Sequence, residues 1–70
     1  MSHFYVEADE EYRCRRALLG KKSITIVGLT LDGRGSTFTG RVEAVEAGHT
    51  TIPGYPLRIT IRDEEPGELP

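Results

Sequence analysis

Cys14 lies in the run Arg13-Cys14-Arg15-Arg16, where a nucleophile sits among charges able to activate it. Cations around a thiol favour its thiolate, which is the reactive form. A cysteine nucleophile also needs a base and a stabiliser of the developing charge. His3 and His49 are the only imidazoles, and neither stands at a recognisable spacing from Cys14. The plainer expectation is a small, semi-buried side chain. Metal chemistry is equally poor in ligands, because the two histidines and single cysteine form no closely spaced pair. Glu7, Asp9 and Glu11 alternate, but acids at that place read as charge ahead of a helix. The segment Gly28 to Gly35 nearly spells a phosphate-binding loop. Arg34 and Gly35 stand where Lys and Ser or Thr would be required, so a hairpin is expected there. No catalytic residue, metal or cofactor is expected.

The basic residues are the remaining chemical feature. Net charge is −2, yet the charges are segregated along the chain. Residues 1–12 carry four acids and no base, whereas 13–41 carry Arg13, Arg15, Arg16, Lys21, Lys22, Arg34 and Arg41 against Asp32 alone. Residues 42–70 are acidic again, with six acids and two bases. Such a segment either balances the acidic ends across the surface or forms a patch for a polyanion. Phosphate binding uses clustered Lys and Arg, and single-strand binding adds exposed aromatics. Phe38 reads as buried, which leaves Tyr5, Tyr12 and Tyr55 for stacking.

Seventy residues make one small domain, expected over 1–62, with 63–70 an acidic, disordered tail. That size excludes a two-domain hinge or a dinucleotide-binding fold. One cysteine allows no internal disulfide, which suits a reducing compartment. No signal-peptide pattern opens the chain. The apolar stretch Ile24 to Leu31 is too short and too interrupted to span a membrane. A soluble, cytoplasmic protein is the expectation.

These side chains must be positioned by few elements. Phe4-Tyr5-Val6 suits a short strand. Residues 9–19 read as a helix capped by Asp9, paired through Asp9–Arg13 and Glu11–Arg15, closed by Gly20, with Tyr12, Cys14, Leu18 and Leu19 inward. A hairpin turning at Asp9-Glu10 into a strand over 12–16 is the rival. Alternation over Ile24–Leu31 predicts a strand, with a parity slip between Ile26 and Val27 that predicts a bulge. Asp32-Gly33-Arg34-Gly35-Ser36 predicts the turn. Phe38, Gly40, Val42 and Ala44 alternate inward along a second long strand, whose parity Val45 breaks. A short strand over 50–52 and a last one over Leu57–Arg62 complete the set. Short strands, bends and glycine turns around one core predict a mainly β protein, a small, strongly bent antiparallel sheet or barrel with one short N-terminal helix.

Residues 10–46 resemble the first half of the Sm-like small-barrel family. Leu19-Gly20-Lys21 matches its lead-in to a bent strand, Asp32-Gly33-Arg34 its turn, and Phe38-Thr39-Gly40-Arg41-Val42 its second strand. Val45-Glu46 falls where the family has an apolar residue and an acid. The resemblance implies an SH3/Sm-like barrel. Where the family stacks bases, this chain has Ala47-Gly48-His49-Thr50, and no Arg-Gly motif appears in Leu57–Arg62.

Two functions follow as expectations. The first is a non-catalytic binding or adaptor domain, touching a protein partner through an exposed strand edge. If Leu57–Arg62 is that edge, a proline there blocks binding. The second is an Sm-like oligomer, self-associated and binding RNA or another polyanion through the basic central segment.

Overall fold

Alternating apolar residues build the strands of this protein, and a computed structural model describes residues 1–63. Strand β1 (Ser2–Val6) passes through one 3-10 turn (Ala8–Glu10) into helix α1 (Glu11–Gly20). Strands β2 (Ser23–Leu29), β3 (Gly35–Ala47) and β4 (Leu57–Asp63) follow. All neighbours are antiparallel, in the order β1-β2-β3-β4, and β4 returns to β1 to close the ring. The protein is mainly β, with one short N-terminal helix. The strand expected over 50–52 does not form; those residues belong to the irregular connection between β3 and β4. The expected tail begins at the last residue of β4, and its remainder, 64–70, lies outside the described residues.

The ring is unevenly sealed. Strand β4 pairs with β1 over five residues, from Ser2↔Ile61 to Val6↔Leu57. Strands β2 and β3 run in unbroken register from Ser23↔Arg41 to Leu29↔Gly35. Between β1 and β2 the register is the single pair Tyr5↔Leu29. Phe4, Val6, Ile26, Val42, Leu57, Ile59 and Ile61 fill the interior, and Cys14 and Ala17 of α1 close one end of it. Phe38 lies partly buried, its ring stacked on Phe4 at 3.9 Å between centroids.

The bulge lies elsewhere than at Ile26. Strand β2 carries Val27 68% exposed beside a buried Ile26, so an apolar residue on the outer face, not a slip, causes the apparent change of parity. The register shift occurs in β3, between Val42 and Ala44. The extra residue Glu43 flips the sides, so Val45 packs on the core and Ala44 shifts outward. Such a bulge bends a strand enough for it to belong to two parts of a small ring.

Helix α1 also departs from expectation at both ends. Asp9 lies in the 3-10 turn, and Glu10, at the N-cap, makes no side-chain cap bond. Gly20 is the last helical residue, and Lys21 takes the left-handed conformation at φ 53°. Lys22 N–H then reaches Ala17 O at 3.0 Å and Lys21 N–H reaches Leu18 O at 3.3 Å. That is a Schellman closure with lysine at the position glycine prefers. The buried face is Cys14 and Ala17, not Tyr12 and Leu19, which are 70% and 85% exposed.

Candidate functional site

Strand β2 is the element whose hydrogen-bonding edge is incompletely used. Its inner neighbour β3 is continuous, but from Ile24 to Gly28 no strand among the described residues pairs with its other edge. In an antiparallel ladder, residues alternate between bonding the neighbour and turning both groups outward. Thr25 belongs to the outward set. Its carbonyl accepts a bond from Arg13 Nη2 at 3.0 Å, and its hydroxyl sits 3.0 Å from that of Thr39, as close facing side chains do in a non-hydrogen-bonded pair. Val27, two residues on, shares that parity. So does Leu29, where β1 makes its single pairing.

Helix α1 and the start of β2 form the walls of a groove of about 410 Å³. Tyr12, Arg13, Arg16 and Lys22 line it from the helix side, and Ser23 and Ile24 from the strand. Arg16 lies with its guanidinium carbon 5.6 Å from the Tyr12 ring centre and donates to the Tyr12 hydroxyl at 3.2 Å. Arg13 also meets Glu10 at 3.2 Å, so its guanidinium spans from the helix start to the β2 edge. Beyond that bridge lies a second hollow of about 260 Å³, bounded by Glu7, Glu10, Val27, Leu29 and Tyr55.

The structure brings Arg13, Arg16 and Lys22 to one groove, and the rest of the basic set is not part of its lining. Arg15 lines another side of the helix and is held by Glu11 at 2.8 Å, as its spacing predicts. Arg13 takes Glu10 instead of Asp9. Lys21 forms the helix closure. Arg34 ends the hairpin turn and faces Asp32 at 3.6 Å, while Arg41 lies opposite Ser23 at the other end of the same ladder. Six strand steps of about 3.4 Å each, from Gly35 to Arg41, put roughly 20 Å between the two ends of that ladder. Arg41 also stands directly across from Arg62, a base that sequence reasoning left out and that pairs with Glu43 at 3.3 Å.

Cys14 is fully buried, and its thiol pKa is pushed up to about 11. Burial is the main cause and the Glu10 carboxylate adds to it, while Arg13 acts weakly in the other direction. The neighbouring arginines of the sequence therefore do not make this thiol a thiolate. Among the described residues, no three His, Cys, Asp or Glu side chains converge as a metal site. No helix among them is long and apolar enough to cross a membrane.

Sequence reasoning missed Thr25, Ser23 and Ile24 as site residues. The only available signal was the alternation of β2 itself, which marks a strand and says nothing of which edge has a neighbour. Comparison with protein-family models, with curated proteins and with solved structures finds no match to this chain.

Proposed function

We propose that this protein is a small non-catalytic binding domain that engages a partner protein by adding an extended segment of it to the open edge of β2. The observation that carries this reading is the absence, among the described residues, of a strand beside Ile24–Gly28, with a groove against α1 at the Ser23–Ile24 end and a second hollow at the Val27–Leu29 end. Added strands gain affinity from main-chain bonds and specificity from the side chains on either wall. Outward-facing Thr25 and Val27 supply the main-chain groups; α1 supplies the second wall at Ser23–Ile24, and Glu7, Glu10 and Tyr55 supply it at Val27. The buried thiol with its raised pKa speaks against nucleophilic chemistry at Cys14. Leu57–Arg62, the edge expected from the sequence, is not open, because β4 has a neighbour on both sides.

The test uses a seven-residue peptide of valine and threonine with a central glutamate, titrated into isotopically labelled protein. Amide shifts confined to Ser23–Val27 and α1, lost when the peptide's backbone amides are methylated, support strand addition. Val27→Pro removes an outward N–H and should abolish binding while the protein stays folded. Shifts elsewhere, or binding indifferent to methylation, overturn the reading.

The polyanion reading keeps one observation in its favour, the convergence of Arg13, Arg16 and Lys22 on one groove. Here the resemblance of residues 10–46 to Sm-like barrels suggests oligouridine as the probe. Oligouridine binding that weakens linearly on a log–log salt plot, with a slope reduced by Arg16→Gln and Lys22→Gln, would favour it over strand addition.

A further inference from the structure

Arg13 occupies the very acceptor that an incoming strand requires. Its Nη2 donates to Thr25 O at 3.0 Å, and its Nη1 meets Glu10 at 3.2 Å. The bridge stands between two hollows that both follow the β2 edge. The first is lined by Arg13, Arg16, Lys22 and Ile24, and the second by Glu7, Glu10, Val27 and Leu29. A charged side chain laid on a strand edge is a common device against unwanted pairing. Arg13 is 53% exposed in its side chain and anchored by one partly buried carboxylate, so little packing holds its own guanidinium in place.

We infer that Arg13 is a displaceable bar across the β2 edge, and that the partner segment which displaces it is acidic. This rests on the strand-addition reading. When a segment enters, a backbone N–H of the added strand replaces Arg13 as the donor to Thr25 O. The guanidinium then needs a new acceptor. A carboxylate on the segment supplies it, and Arg16 and Lys22 reinforce the same sign at that end of the groove. Glu7 and Glu10 line the other end, so the acid belongs beside Ser23–Thr25 rather than beside Leu29. A neutral segment must displace Arg13 without compensation, and a basic one meets repulsion as well. The bar thus selects partners by charge while the edge itself reads only backbone.

Three peptides test this, the valine and threonine heptamer with central Glu, Gln or Lys. The wild-type protein should bind the Glu form about fivefold tighter than the Gln form, as for a partly exposed ion pair, and the Lys form more weakly than either. In Arg13→Gln that preference should shrink to about twofold or less, and the Gln peptide should bind more tightly than it binds the wild type. Arg15→Gln, which breaks an ion pair away from the edge, should leave the preference intact. Equal wild-type affinity for Glu and Gln forms, or an unchanged ratio in Arg13→Gln, overturns the bar even where β2 amides still shift. Failure of all three peptides to shift β2 amides overturns strand addition itself, and the bar with it.

Discussion

Gly28 packs so closely beneath Tyr5 that a Cβ on it would stand 2.6 Å from the Tyr5 carbonyl oxygen. It would also press on the side chains of Phe4 and Val6 at 3.0 and 3.1 Å. This is where the ring closes, next to the single pair Tyr5↔Leu29. Gly28→Ala should therefore cost about 2–3 kcal/mol in chemical denaturation, in the range of an overpacked core. Gly35→Ala, where a Cβ meets nothing within 4 Å, is the comparison and should change stability by less than about 1 kcal/mol. Equal effects at the two glycines would contradict the close approach.

The helix closure predicts a gain. Lys21 holds a left-handed conformation that costs a side-chain-bearing residue roughly 1–2 kcal/mol, and Gly20 before it is helical. Lys21→Gly should raise stability by up to about 1 kcal/mol. Gly20→Ala should add a further 0.5–1 kcal/mol, roughly, because a Cβ there meets only the flexible Lys22 side chain. Melting of the double variant checks both at once, with an upward shift expected.

Cys14 predicts a loss of stability in alkali. Its thiol pKa of about 11 when folded stands above the 9.0 of a freely solvated thiol in the open chain. The folded state thus holds the proton more tightly, and stability falls as pH rises from about 9 to about 11. The contribution is on the order of 2 kcal/mol, fully present below pH 9 and lost through the folded pKa. Cys14→Ala is the reference. The difference between the two stability curves should narrow over that window, and parallel curves would refute it.

Solution mass separates the two functional readings at the level of assembly. Strand addition by a ring already closed expects a monomer, by light scattering, across concentration and at two salt levels. A discrete ring-sized oligomer would instead favour the Sm-like reading and make the oligouridine titration the deciding experiment.

Proline placement checks the topology directly. Ile59→Pro should unfold the protein, because Ile59 pairs with Phe4 on one side and Val45 on the other. Val27→Pro should be tolerated, with a cost of roughly 1 kcal/mol, if its N–H faces the open edge. Equal loss of cooperative unfolding in both would mean that β2 is bonded on both sides.

Much of this architecture is legible in local patterns. Leu57, Ile59 and Ile61 alternate and are buried together. Asp32-Gly33 marks the turn, where Gly33 sits at φ 91° and the Thr30 hydroxyl bonds Asp32. The same patterns mislead where a residue's fate depends on what lies opposite. Val27 looks like a core residue displaced by a bulge, yet it is on the outer face. Gly20 looks like the helix stop, but the left-handed turn falls one residue later, where the Ala17 and Leu18 carbonyls find their donors.

The sequence by itself determined that this chain makes strands, one hairpin turn and one short helix, because those follow from alternation, turn chemistry and charge order over a few residues. Only the tertiary structure decided which strand edge is left open, since that depends on β1 reaching β2 at Leu29 and no further. It also decided which bases share a surface. Arg34 and Arg41 read as one charge set with the helix arginines, but the β2–β3 ladder holds them at opposite ends, while Arg13, Arg16 and Lys22 line one groove. Charge is a property of residues; proximity is a property of register.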